Sequence, residues 1–315
     1  MAIQVFIDGE VGTTGLQIRE RLEPRRDLAL IRLDETERKD LNARREALNS
    51  ADIAILCLPD AAAREAVSLI DSPTTRVIDA STAHRTAPGW VYGFPEALPG
   101  QREAVARAAR VSNPGCFSTG FIALMAPLVR SGLIPNDWPY SVNAVSGYSG
   151  GGKAMIAEFE DPSSATYTTV PVRIYATALG HKHVPEMQRC CDLTHPPLFA
   201  PSVGRYAQGM LVEVPLPLFA FPKRPCLDDI HAGLTEAYAG ARFVEVASRD
   251  ECLATKTLDP QGLNGSNRLK LFVFGDPAAG QARLVALLDN LGKGASGAAV
   301  QNLNLMAGFD EGAGL

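Results

Sequence analysis

Cys116 stands in SNPGCFSTG, between a Pro-Gly pair and an apolar stretch that continues to Val129. A cysteine among apolar neighbours is most often a core residue. Here the local pattern argues for chemistry. Pro114 and Gly115 predict a tight turn, Phe117 to Val129 predict a buried helix, and Cys116 falls at or just before the first helical turn. Unpaired N–H groups and the positive end of the helix dipole favour a thiolate there, with a pKa below the free value of about 8.5. A thiolate needs a proton carrier, and histidine titrates nearest neutral pH. Of the five histidines, His195 in DLTHPPL and His231 in a helical pattern read as surface or packing residues, and His84 stays a candidate. The segment GHKHVPEM carries more. Pro185 can begin a helix, which puts His183 near its N-terminus, where the dipole favours the neutral imidazole a base requires. Glu186, three residues on, can share that face and orient the ring. Pro185 and Glu186 favour His183 over His181, since they fix a helix start and supply an acidic orienting partner. We expect His183 to move the proton and His181 to hold substrate.

These groups need a frame. IQVFIDGEVGTTGLQIRERL reads as strand, glycine turn and helix, with Gly9, Gly12 and Gly15 letting the backbone approach a pyrophosphate at a helix N-terminus. Apolar segments at 28–33, 51–59, 75–81 and 109–114 alternate with charged, helix-prone stretches, as a parallel βαβ sheet requires. Ligands of such sheets sit at the C-terminal strand ends, where Leu58-Pro59, Asp79 to Ser81 and Ser112 to Cys116 fall, so the cysteine and the glycine turn are expected to share one crevice. Past Cys116 the rhythm changes. VNAVSGYSGGGKAM, TYTTVPVRIYATALGH, GMLVEVPLPLFAF and LKLFVFGDP read as longer alternating strands, with helical patterns at 227–239 and 281–291. A Gly-rich turn then opens a helix from about Ser296 that could dock back on the first domain. The fold class expected is α/β: a Rossmann-type parallel-sheet domain, 1–115 with 295–315, and a second α+β catalytic and oligomerisation domain with a mixed or antiparallel sheet, 116–294.

Composition limits the function classes. The 315 residues carry 46% hydrophobic and 21% charged residues with a formal charge of −5, so the basic excess of a nucleic-acid binder is missing. Six cysteines at 57, 116, 190, 191, 226 and 252 form no C-x-x-C pair, which argues against structural zinc, a disulfide framework or any metal site. The opening MAIQVFIDGE enters a strand pattern without a basic n-region or cleavage site, and the longest apolar run is too short for a bilayer of about 30 Å. A cytoplasmic protein without membrane or nucleic-acid partners is expected.

SNPGCFSTG, the glycine turn, VIDASTAHR, YGFPEAL, SGYSGGGK, GHKHVPEM and NLGKGASGAAVQNLNLM resemble, nearly end to end, the shorter form of the N-acetyl-gamma-glutamyl-phosphate reductase family, related to the aspartate-semialdehyde dehydrogenases. The family's longer members more often read S-A-D-F-R where this chain has Ser81-Thr82-Ala83-His84-Arg85. The resemblance implies NADPH-dependent reduction of a small-molecule acyl phosphate to a semialdehyde in arginine biosynthesis, by a homo-oligomer, dimer or tetramer. It also implies an anionic substrate. Arg85 is the favoured phosphate clamp because a guanidinium fork binds two oxygens, with Asn113, Ser146, Lys153, His181 and Lys182 as further substrate contacts. Cofactor contacts are expected at Gly9, Gly12, Thr13, Thr14, Gly15, Arg38, Leu58, Pro59, Ser81, Gly292 and Gly294. Asp34, ending the second strand, taken alone argues for NAD. Arg32, Arg38 and Lys39 nearby can accommodate a 2′-phosphate, and the resemblance implies NADP. Two other readings stay open: another semialdehyde dehydrogenase, such as one acting on aspartyl phosphate, and a non-catalytic dinucleotide sensor using Cys116 as a redox switch.

Overall fold

Strand β1 (Ile3–Asp8), buried over its last four residues, hands the chain through a glycine turn to helix α1 (Thr13–Leu22) in the computed structural model, which describes residues 2–315. Ile18 and Leu22, four apart, form the buried face of α1. The alternation continues through β2 (Leu28–Ile31), α2 (Leu41–Ser50), β3 (Ile53–Leu56), α3 (Asp60–Ser68) and β4 (Arg76–Asp79). It closes with β5 (Val91–Tyr92), α4 (Gln101–Arg107) and β6 (Arg110–Ser112). The six strands pair in parallel in the order β2-β1-β3-β4-β6-β5. Successive side chains face opposite sides. Val5, Ile7, Ile53, Ile55 and Ile78 pack with Ile18, Val105 and Val300 on one side, and Phe6, Ala54, Leu56 and Val77 pack with Leu48 and Ala66 on the other. Both faces are therefore covered, which is why β3 is buried along its length. The last helix, Gly297–Ala307, packs on α1, α4 and β4 of this unit.

The other unit is built on helix α5 (Cys116–Arg130), β7 (Ser141–Gly147), α6 (Gly152–Glu160), β8 (Val172–Ile174), α7 (Val184–Cys190) and β9 (Leu198–Gly204). It continues with β10 (Met210–Pro217), α8 (Leu227–Ala237), β11 (Val244–Val246), α9 (Arg249–Ala254), β12 (Leu269–Asp276) and β13 (Gln281–Leu288). Its seven-stranded sheet runs β11-β12-β13-β10-β7-β9-β8 and is mixed, with β11/β12 and β7/β9 parallel and the other pairs antiparallel. Helix α5 is buried from Phe117 to Val129 and packs on β10, β13, α7 and α8. Gly120 permits the close approach to the sheet, since a Cβ there would stand 2.8 Å from Val212 Cγ2.

The structure corrects three readings of this half. Residues 281–291, expected as helix, are mostly strand: Gln281–Leu288 pairs with β12 on one side and β10 on the other. A central strand buried on both faces loses its alternation and becomes an apolar run that a helix could equally carry. The segment 142–155 is strand only to Gly147, then a 3₁₀ turn and the start of α6. Within 166–181 only Val172–Ile174 is strand.

The chain divides into one unit reaching Pro95 with Gly100–Pro114 and Ala295–Leu315, and another of Glu96–Pro99 with Gly115–Gly294. Residues 96–99, expected in the first domain, fall with the second because Glu96 pairs with Lys293 and the carbonyl of Ala97 accepts from Arg130.

Pro127 lies inside α5 and has no N–H to give the carbonyl of Ala123, four residues earlier. The hydroxyl of buried Tyr238 donates to that carbonyl at 2.8 Å. Tyr238→Phe leaves a buried acceptor unpaired and should lower unfolding free energy by about 1–3 kcal/mol. Urea titration checks this, and a variant as stable as the parent would show that the carbonyl finds another donor.

Candidate active site

Cys116 is the first residue of α5, following Gly115 in extended conformation as N-cap. No side chain caps this fifteen-residue helix and its first turn holds no acidic residue, so its opening amides and dipole face the thiol's surroundings. The neighbouring segment is stitched to this turn. The N–H of Gly115 donates to Glu186 Oε2 at 3.2 Å, and the hydroxyl of Ser118 donates to the carbonyl of His183 at 3.4 Å. His183 is the N-cap of α7 and Pro185 lies in its first turn, as the GHKHVPEM pattern predicts. His183 and Glu186 are both buried.

His181 Nδ1 accepts the backbone N–H of His183 at 3.1 Å, so the proton of the neutral ring sits on Nε2. The two imidazoles meet edge to face at 4.7 Å between centroids. Phe117 lies 5.8 Å from each, Phe199 5.0 Å from His181, and Tyr175 5.9 Å from His181. Burial raises the Tyr175 hydroxyl's pKa, and a charge on Cys116 adds to that. Gly294 closes another side, since a Cβ there would stand 2.8 Å from Cys116 Cβ. Tyr175, Phe199 and the close contact at Gly294 escape sequence reading because each comes from a distant segment. The signal available was the run NLGKGAS, whose glycines mark close backbone approach.

The other expected residues fall into separate groups. At the ends of β4 and β6, Asp79 is fully buried and accepts from the Ser81 N–H and hydroxyl and from His84 Nδ1 at 2.6 Å. Arg85 Nε donates to the carbonyl of Asn113 at 3.0 Å. Asn113 Nδ2 donates to the carbonyl of Ala295 and its Oδ1 accepts from Asn302, at 2.9 and 3.1 Å. Ser146 is buried near the end of β7 with its hydroxyl on the carbonyl of Gly147, while Lys153 and Lys182 are exposed. Gly292 lies with Gly294 in the Gly115–Gly294 unit.

That turn is tight. Gly9 has φ +92°, and a Cβ on Gly15 would stand 2.4 Å from the Gly9 carbonyl oxygen. Thr13 and Thr14 open α1, whose N-cap Gly12 supplies no side-chain partner and whose first turn carries no acid, a cradle that fits a pyrophosphate. Leu58 approaches Gly9, and Pro59 is the N-cap of α3. Asp34 Oδ1 accepts the N–H groups of Thr36 and Glu37, which ties that carboxylate into its own turn. Arg38 Nη1 stands 3.6 Å from Glu10, a loose pair that a stronger anion can replace.

Two family profiles match, the semialdehyde dehydrogenase NAD binding domain over residues 7–107 and the semialdehyde dehydrogenase dimerisation domain over residues 116–290. Aspartate semialdehyde dehydrogenase II of Vibrio cholerae, complexed with ASA, shares the fold at a TM-score of 0.71 and 16% identity over 98% of both chains. The Candida albicans aspartate semialdehyde dehydrogenase with NADP does so at 0.65 and 13%, covering 98% of this chain and 99% of that one. The chain belongs to the semialdehyde dehydrogenase family. Within it, N-acetyl-gamma-glutamyl-phosphate reductases are similar over nearly the whole length. The Burkholderia ambifaria protein of that name is 55% identical over 304 residues, 96% of each chain, and the Brucella ovis one is 55% identical over 309, 98% of this chain and all of that one. The Nostoc N-acetyl-gamma-glutamyl-phosphate reductase 2 is 52% identical over 318, 99% of each. This chain takes its place in that branch.

Burial pushes the thiols of Cys57 and Cys190 up to about 12, and that of Cys191 well above its usual value. Iodoacetamide at pH 7.5 should therefore label Cys116 well ahead of these three. Peptide mapping after short exposure checks this, and equal labelling of all four would mean Cys116 carries no activation.

Proposed function

We propose that this protein reduces N-acetyl-gamma-glutamyl phosphate to N-acetylglutamate semialdehyde and phosphate with NADPH, in arginine biosynthesis, through a thioester on Cys116. The observation that carries the mechanism is the thiol at the start of an uncapped buried helix, with a histidine segment bonded to the same turn. Cys116 Sγ attacks the acyl carbon, the carbon–oxygen bond to phosphate breaks, and phosphate departs with its electron pair. When bound, the reduced cofactor supplies the hydride that converts the thioester carbonyl to the aldehyde level. The C–S bond then breaks and returns the thiolate. Negative charge on the carbonyl oxygen at both tetrahedral stages is met by the opening amides of α5.

His183 takes the thiol proton and later holds a proton for the thiohemiacetal oxygen. His181 is the poorer carrier because its Nδ1 is committed to the His183 amide, a bond that ring protonation would remove. Its Nε2–H is a donor for substrate oxygen. Glu186 acts on the turn, since its carboxylate holds the Gly115 amide. Arg85 meets the phosphate, and Asn113, Ser146, Lys153 and Lys182 supply the remaining polar contacts. Gly9, Gly12, Thr13, Thr14 and Gly15 hold the cofactor pyrophosphate, with Arg38 on the 2′-phosphate and Leu58, Pro59, Ser81, Gly292 and Gly294 along the rest. The six free thiols fit a reducing cytoplasm. The apolar edge strand β8, with Ile174 74% exposed, suits assembly into a dimer or tetramer.

The reverse reaction tests this reading: N-acetylglutamate semialdehyde with phosphate and NADP⁺ should generate reduced cofactor, faster than aspartate semialdehyde or NAD⁺ at equal concentrations. Preference for aspartate semialdehyde would reassign the substrate, and cofactor binding without turnover would leave only a sensor. Cys116→Ser should bind cofactor yet lose turnover by several orders of magnitude. His183→Asn should slow the chemical step about 10²–10⁴-fold and abolish one limb of the pH–rate profile, whereas His181→Asn should act mainly on KM. The opposite pattern would exchange the two roles.

A further inference from the structure

Lys293 is 1% exposed, a rare state for a lysine. Its Nζ donates to both carboxylate oxygens of Glu96 at 2.8 and 2.9 Å and stands 5.5 Å from the ring centroid of Phe243. A buried ion pair is a poor stabiliser compared with apolar side chains of the same volume, because both charges must leave water. A positional reason for it lies one residue away. Lys293 is the second residue of the π-helical turn Gly292–Ser296, and its successor Gly294 rests on the nucleophile, with only 2.8 Å from an imagined Cβ to Cys116 Cβ and 3.3 Å to its Cα.

The approach to that turn is held by other bonds. Asp289 Oδ1 accepts the Leu291 N–H at 2.9 Å and Oδ2 the Gly265 N–H at 2.8 Å. Asn290 Oδ1 accepts the Gly209 N–H at 2.7 Å, and its Nδ2 donates to Ser149 Oγ at 3.0 Å. The Gly294 N–H closes back on the Asp289 carbonyl at 2.9 Å. These fix residues 289–291. Lys293 anchors the turn at the contact itself, where a π turn, wider than an α turn, holds its backbone less tightly.

We propose that Glu96 and Lys293 are positioning residues for the reaction: their buried pair holds the π turn so that the Gly294 backbone sets the place of the Cys116 thiol. This rests on Cys116 being the nucleophile. Neither side chain touches substrate. A nucleophile displaced by about 1 Å loses on the order of 10²-fold in rate, so the pair should act on kcat.

The test compares wild type with Lys293→Met and with Lys293→Met/Glu96→Leu, the double variant removing the carboxylate that the single change strands. Lys293→Met should lower kcat about 10–100-fold with KM for the acyl phosphate within about threefold. The double variant should recover the melting temperature and keep the kcat loss. Its Cys116 should react with iodoacetamide at least about threefold faster than in wild type, with Cys57 and Cys191 still protected, which separates a loosened turn from unfolding. A double variant with wild-type kcat and wild-type alkylation rate overturns the proposal. Turnover that survives complete alkylation of Cys116 in wild type overturns instead the nucleophile on which it rests.

Discussion

The amide of Gly115 and the carboxylate of Glu186, 71 residues apart, meet at 3.2 Å in the protein interior. A buried carboxylate without donors would be costly, and a buried amide without an acceptor nearly as much, so each fixes the other. Satisfying both brings α7 against the start of α5 and carries His183 with it. Ser118 reinforces the placement from the next turn, and Phe117 and Phe199 fill the space around the imidazoles. The Gly115 amide and the His183 carbonyl thus help set the register between Cys116 and the histidine segment.

Helix α5 serves packing along its length and, in the proposed mechanism, chemistry at one end. Its body is buried against β10 and β13, with Gly120 admitting the sheet closely and Tyr238 supplying the donor that Pro127 withholds. The start keeps its amides uncapped. A side-chain cap would have bonded those groups and placed a competing oxygen near the thiol.

In the parallel-sheet unit the comparable centre is Asp79. It accepts three donors, from the Ser81 amide and hydroxyl and His84, while its carbonyl receives the Asn113 amide. His84 also stacks on Trp90 at 4.2 Å. The Ser-Thr-Ala-His-Arg segment is held by its polar side chains as well as by packing, and Arg85 is presented from it. His84 ties the segment to Asp79 through its ring nitrogen.

The amino-acid order by itself determined whatever depends on short range. The glycine turn between β1 and α1, the buried helix after Pro114-Gly115, the helix started by Pro185 and the parallel alternation all follow from periodicity and turn chemistry within a dozen or so residues. The cysteine, the histidine pair and Arg85 stand out as candidates because their types are unusual in those settings. Tertiary structure decided the rest. Gln281–Leu288 is a strand because two neighbours compete for its backbone, a force that its own apolar composition does not reveal. His181 Nδ1 is committed to a backbone amide, and Asp34 is spent on its own turn, only once the chain's geometry is known. The contact of Gly294 with Cys116 and the pairing of Lys293 with Glu96 join residues far apart in sequence. No local propensity encodes such meetings: they arise when burial removes water as the alternative partner and each polar group must find another within the fold.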